Sequence, residues 1–394
     1  MSTFRLALAY LASRPLLTAL HVLLLALGTA MVVVLLLFTG QAERKLEGDA
    51  KPVDLVVGAK GSPMQLILSS VLHVDVPTGN IPYAAAKRIA ADPMVRSATP
   101  LSLGDTYRGF RIVGTDASFF ELYGLTVARG SPFKDEMEAV LGAQAASRTG
   151  LQPGAQFAGS HGLAETGGGA HGDHPYRVVG ILAPTGTVVD RLILTSIESV
   201  WEVHGAHGPV PDEAREITAL LVRYRSPLAA AMLPRRINAM TAMQAASPAY
   251  EGARLMSMVG VGVDALRVFA GVLMACAALS IFIALTTALQ ERSRDLALLR
   301  TLGASPGKLF ALIAAEGMTL VGTGAILGLA LGHAAAEAIG RWLAVSQSWS
   351  ITGLAWEPAE ATLMALVVAL GVVTCVIPAV QAYRRDPATV LLEQ

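Results

Sequence analysis

The sequence predicts an α+β membrane protein: four transmembrane helices in a 1 + 3 arrangement, with a large mixed α/β extracytoplasmic domain between the first and second. Three observations carry this expectation. Four stretches, at residues 16–38, 266–289, 309–333 and 361–380, are apolar for long enough to cross a bilayer, which takes about 20 helical residues. The composition is 53% hydrophobic and only 15% charged, against roughly 25% charged in an ordinary soluble domain. The basic residues flanking the spans fall on one side. Arg5 and Arg14 precede the first span, Arg292, Arg294, Arg300 and Lys308 fill the loop between the second and third, and Arg384 and Arg385 follow the fourth. The loop between the third and fourth carries Arg341 alone, so both termini and the 290–308 loop are expected in the cytoplasm.

The first span reads as a retained helix rather than a cleaved signal, because Thr39, Gly40 and Gln41 follow it where a small-residue A-x-A site would be needed. Residues 40–264 then leave the membrane as one block large enough for its own core, in up to two lobes, the second over about 119–203. Within it, 54–57, 108–113, 176–182, 191–195 and 217–224 read as strands, and 83–91, 139–148 and 227–243 as helices. Residues 64–73 are apolar at helical spacing and read as core packing or as the lining of an entrance. Val57 to Pro63 reads as a strand end and turn, with Lys60 able to meet an anionic group. Six glycines crowd residues 159–173, a loop. The remaining boundaries are residues 1–39, 265–289, 290–308, 309–333, 334–360, 361–383 and a tail at 384–394.

Several function classes drop out. Thirty basic and thirty acidic residues balance to zero, leaving no basic field for nucleic acid. Cys276 and Cys375 both lie in apolar runs and suit neither a disulfide framework nor a four-ligand zinc site. The nearest approach to a phosphate loop, Gly303 to Lys308, has three residues between its glycines and then Leu309 where Ser or Thr must hold magnesium. Other common catalytic signatures are missing, so the chain reads as a non-catalytic subunit.

Histidine is the one metal-ligating residue type present in pairs. His171 with His174, and His204 with His207, are spaced i, i+3 and could share a transition metal such as zinc. Both pairs are flanked by glycine, and ordering such a loop costs about 1–2 kcal/mol per residue, so a solvated loop is the alternative. Glu316 lies inside the third span and reads either as a paired carboxylate or as a proton-relay group; His21 and His333 read as interfacial. Gly324, Gly328 and Gly332 form a small-residue face for close helix packing, within the four spans or across a dimer.

The loop from Glu291 to Ser305 has Leu296, Leu299 and Leu302 at apolar spacing, Arg292, Asp295 and Arg300 toward water, and Gly303 as a cap. By itself it is a juxtamembrane anchor or a docking helix. Its string resembles the E-R-x-x-[ED]-[IL]-x-x-[LM]-[RK]-x-[LI]-G-A-[ST] signature of MacB/FtsX-type ABC transporter permeases. Pro378 to Ala388 resembles the family's P-A-x-x-A-x-x-x-[DN]-P-[AV] ending, and Glu316–Gly317 its L-x-E-G. Residues 4–15 are similar to its basic amphipathic leading helix, and 112–130, 139–154 and 176–191 to its external domain.

The resemblance implies a dimer of permeases with two copies of a cytoplasmic ABC ATPase. ATP and magnesium would sit on that partner, and no cofactor on this chain. It further implies that Glu291, Arg292, Arg294, Asp295, Leu298, Arg300 and Gly303 contact the ATPase, whose closure works the external domain through the helices. The second permease would be a copy or a paralogue, and a periplasmic adaptor, a lipoprotein and membrane lipid are the other partners implied. Cargo would be a lipoprotein, a hydrophobic compound or a metal-linked ligand. The alternative function is a membrane-anchored regulator of a periplasmic partner that moves nothing.

Overall fold

The computed structural model describes residues 3–161, 174–204, 215–346 and 351–384. They divide into two compact units, one built from the chain up to Glu43 and again from Val259, the other spanning Arg44–Met258. The chain begins with α1 (Thr3–Ser13) and α2 (Pro15–Ala50), separated at Arg14 by the proline that opens α2.

The second unit runs through β1 (Leu55–Ala59), α3 (Pro63–Ser70), β2 (Ile81–Pro82), α4 (Tyr83–Ala90), β3 (Val95–Tyr107), β4 (Phe110–Thr115), α5 (Ala117–Tyr123), β5 (Val127–Gly130), β6 (Glu138–Leu141), α6 (Ala143–Thr149), β7 (Gln156–Phe157), β8 (Ser160–His161), β9 (Tyr176–Leu182), β10 (Leu192–Ser196), α7 (Ile197–His204), β11 (Glu216–Ile217), β12 (Ala219–Tyr224), α8 (Pro227–Met240) and β13 (Met243–Ala246). Its main sheet has the strand order β13-β1-β12-β3-β4-β10-β6-β9-β5. Strand β3 is the spine: its first half pairs with β12 and its second with β4, so the sheet passes through it from β1 and β12 to β4 and β10.

Alternation along the strands puts apolar side chains on both faces. Leu55, Val57, Leu220 and Val222 face a core closed by Ala86 of α4 and Leu233 of α8. Val56, Leu101, Leu221 and Leu194 face the opposite core with Leu66 of α3 and Phe119 of α5. A third cluster gathers Ile112, Leu141, Val178 and Ile193 with Ala145 of α6.

Three expected elements shift. The strand expected at 108–113 starts at Phe110, because Arg108 and Gly109, at φ 48° and 79°, form the two-residue turn that joins β3 to β4. The helix expected at 139–148 is first the buried strand β6, then α6 after Gly142. The helix expected at 227–243 ends at Met240, and Met243–Ala246 pairs with β1. Residues 64–73 are core: Leu66, Ile67 and Val71 of this stretch are 1%, 3% and 0% exposed. The turn before them is structural, since Ser62 caps α3 by accepting from Gln65 N at 3.3 Å.

The first unit completes with α9 (Pro248–Glu291), α10 (Ser293–Thr301), α11 (Pro306–Ser346) and α12 (Pro358–Arg384), of which α9 begins within the second. Four helices, α2, α9, α11 and α12, are long and apolar enough to cross a membrane. Their core includes Leu25, Val33, Ile281, Leu285, Leu312, Leu320 and Val367. The helices outrun the apolar spans because polar residues such as Gln41 to Lys45 continue the helix without a breaker. Cys375 is 2% exposed, in van der Waals reach of Gly317, whereas Cys276 on α9 faces outward.

Candidate functional site

The sequence signature at 291–305 becomes a short helix held between two long ones. Arg292, at φ −96° and ψ 10°, breaks α9 from α10. At the other end Gly303 takes φ +97°, a left-handed conformation that suits glycine, and the backbone closes with Gly303 N to Arg300 O at 3.0 Å and Ala304 N to Leu299 O at 2.9 Å. Leu296 and Ala297, each 4% exposed, form the inner face, with Leu299 packed beside them.

The outer face carries Arg294, Asp295 and Leu298, the last 48% exposed. Leu302 does not join the packing side as its spacing suggests. It follows the last helical turn and is 84% exposed. Arg292 is likewise not in water: its Nη1 lies 3.2 Å from Glu316 Oε1, with side chains 13% and 5% exposed, and its guanidinium sits 3.9 Å from the Tyr10 ring centre. Glu291 pairs with Arg14, which ties α9 to the segment between α1 and α2. Arg300 is half-buried and engaged.

The seven residues therefore divide. Arg294, Asp295 and Leu298 can meet a partner, Arg292 and Glu291 fix the helix, Arg300 is half-buried and engaged, and Gly303 turns the chain. Tyr10 and Arg14 belong to the same device, although nothing in the local signature marks them.

Behind Arg292 lies a cavity of about 40 Å³, lined by Tyr10, Arg14, Thr18, His21, Arg292 and Glu316 among others. That is room for roughly one water molecule. Glu316 Oε2 has no hydrogen-bond partner there. His21 is 4% exposed, its ring nitrogens 2.6 Å from Leu17 O and 3.2 Å from Ser280 O. His333 is tied down as well, with Nε2 2.9 Å from Glu360 Oε2 and the ring stacked on Trp356.

The glycine face of α11 packs on α2. A Cβ at Gly324 would meet Leu25, one at Gly328 would lie 2.6 Å from Thr29 Cβ and 2.7 Å from Ala26 O, and one at Gly332 would lie 2.6 Å from Val33 Cβ.

Of the candidate metal ligands, His171 and His207 lie outside the described residues. His174 Nδ1 is 4.0 Å from Glu202 Oε1. His204 Nε2 is 3.4 Å from Asp105 Oδ1, and its Nδ1 is 2.9 Å from Val200 O. That hydrogen bond to Asp105 raises the His204 pKa above its ordinary value against the opposing effect of burial. No group of three or more His, Cys, Asp or Glu that could hold a metal is found among the described residues. Asp105, 3% exposed inside β3, is a buried carboxylate that its polar and glycine neighbours Ser102, Gly104 and Thr106 do not mark as buried in the sequence.

Comparison with known families gives two matches. Residues 18–240, more than half of the 394-residue chain, match the MacB-like periplasmic core domain, and residues 267–387 match the FtsX-like permease C-terminal model. Among solved structures, the periplasmic region of MacB from Actinobacillus actinomycetemcomitans is similar at 13% identity and a TM-score of 0.35, over 54% of this chain and 97% of that one. The extracellular domain of the noncanonic ABC-type transporter YknZ from Gram-positive bacteria is similar at 13% identity and a TM-score of 0.31, over 48% and 98%. The curated proteins give no match.

Proposed function

The chain belongs to the MacB/FtsX-type family of ABC transporter permeases, and from that premise we propose that it is a permease that converts ATP hydrolysis by its cytoplasmic ABC ATPase into movement of its periplasmic domain. The family supplies a multi-pass inner-membrane permease subunit, in general not itself catalytic, and an ATPase partner. The conversion step, the orientation with both termini in the cytoplasm, the pairing of two permease copies and the cargo are our reading. The cargo class we favour is a lipoprotein, hydrophobic compound or metal-linked substrate received by the external domain.

One observation carries the reading. Helix α10 is fixed by its inner leucines and by ion pairs from Arg292 and Glu291, while Leu298 and Leu302 are offered outward beside Arg294 and Asp295. Two large apolar side chains held in the open on a braced helix suit a docking surface, where buried apolar anchors supply most of the affinity. The basic residues of the same loop favour its cytoplasmic placement. Helices α2 and α9, each with one end in either compact unit, are the candidate levers.

The test is purification of the tagged chain from native membranes, with ATPase activity measured in the eluate. The wild type should bring down an ATPase, and Leu298→Asp with Leu302→Asp should lower its recovery at least tenfold. The chain itself should still fold, because both side chains are exposed. Undiminished recovery would remove α10 from the contact.

A further inference from the structure

His204 and Asp105 meet in a way that a neutral imidazole does not satisfy. Nδ1 of the ring lies 2.9 Å from Val200 O, one turn back on α7, and a carbonyl only accepts, so Nδ1 carries the N–H. In the neutral ring Nε2 is then a lone pair, and it lies 3.4 Å from Asp105 Oδ1. Two electron-pair donors face each other, and a cation between them makes the contact attractive. In the metal-free chain that cation is a proton, which gives the ion pair described above.

The separation suits a larger ion. A charge-assisted N–H···O bond settles at about 2.7–2.9 Å, whereas zinc bonds of about 2.0–2.2 Å at a tetrahedral angle hold two ligand atoms about 3.4 Å apart. Such an ion sits in the angle between its ligands and needs no water-sized cavity. The side chain of His204 is 34% exposed and that of Asp105 3%, so the imidazole side is the way in from solvent and the carboxylate is the buried anchor. The Nδ1 bond to the helix backbone is the kind of outer contact that fixes a ligating imidazole.

The described side chains supply two ligands, and the backbone supplies the position of a third. Strand β8 pairs antiparallel with β3, and His161 is the register partner of Asp105. Residues opposite one another in such a pair share a face of the sheet, with Cα atoms about 4.5–5.5 Å apart. Two residues earlier, a Cβ on Gly159 would lie 3.6 Å from Asp105 Oδ2. The chain entering β8 thus runs against one carboxylate oxygen while the other meets His204.

We propose that Asp105, His161 and His204 hold one divalent transition metal of the zinc class. Two imidazoles with one carboxylate favour such an ion over magnesium or calcium, which take oxygen ligands, and over copper(I), which takes sulfur. Three protein ligands leave a fourth position for water or for a group on a bound molecule. This set is not one of the i, i+3 histidine pairs of the sequence, since it joins β3, β8 and α7. The inference does not depend on the transport reading, because it concerns a ligand of the Arg44–Met258 unit whatever that unit moves.

The experiment uses the full chain, purified in detergent and stripped of metal with a chelator. It is titrated with cobalt(II) followed by absorbance and with zinc(II) followed by calorimetry. One saturable equivalent per chain is expected, and the cobalt form should show the intense visible bands of tetrahedral coordination. Asp105→Asn, His161→Ala and His204→Gln should each weaken binding roughly tenfold or more, whereas His171→Ala with His174→Ala should leave it unchanged. No saturable equivalent, wild-type affinity in any of the three single variants, or loss of binding in the double variant would overturn the site. Should Asp105→Asn fail to fold, His204→Gln, at a partly exposed position, decides in its place.

Discussion

At the residue scale, Arg292 and Glu316 show how a charge read as solvent-facing can be a buried brace. With 13% and 5% of their side chains exposed, each depends on the other, and removing one partner of such a pair typically costs about 3–5 kcal/mol. Arg292→Ala should therefore lower thermal stability in detergent by roughly that amount, and Arg292→Met with Glu316→Leu should recover much of it; equal losses in both would mean the pair is not the unit of stability. His204 gives a pH signature. Its pKa is raised in the fold by Asp105, so folding favours the protonated ring. That contribution is complete below the ordinary value of 6.5 and is lost as pH rises through the raised folded value. The melting temperature of wild type should fall across that window relative to His204→Gln, and parallel profiles would dismiss the pair as a stabiliser. The partners of these two residues, Glu316 and Asp105, were unreadable from sequence order, since they lie 24 and 99 positions away.

At the scale of elements, the glycines of α11 separate packing from propensity. Gly322 has nothing within 4 Å of an added Cβ, whereas Gly328 would press on Thr29 and on the Ala26 carbonyl. Gly322→Ala should gain about 0.5–1 kcal/mol from the helix interior, and Gly328→Ala should lose stability, because a backbone oxygen cannot move aside cheaply. Melting curves that shift in the same direction would contradict this packing. The spacing of these glycines announced a packing face, but only the three-dimensional fold names α2 as its occupant. Long apolar runs made α2, α9, α11 and α12 legible, and the short run rich in Val, Ile and Leu at 176–182 did the same for β9. Strand β3 was not legible: its buried polar residues Thr99, Ser102 and Asp105 break the alternation, and the partners of Thr99 and Asp105, Ser118 of α5 and His204 of α7, lie on later helices. Met243–Ala246 failed for the opposite reason, reading as more helix until its pairing with β1 decides it.

At the scale of the whole molecule, two compact units with separate cores should unfold as two events. Phe119→Ala, at a position 0% exposed, should shift only the transition of the Arg44–Met258 unit, by about 3–5 kcal/mol, while Arg292→Ala shifts only the other; a single calorimetric transition moved by both would refute that independence. The two cysteines make the molecule its own probe. Cys375 is sealed against Gly317, whereas Cys276 lies on the outward face of α9 within its apolar span, so one sulfur of the two is placed to meet another chain. Mild oxidation of membranes would then leave a covalent record of whether α9 of one copy ever meets α9 of another.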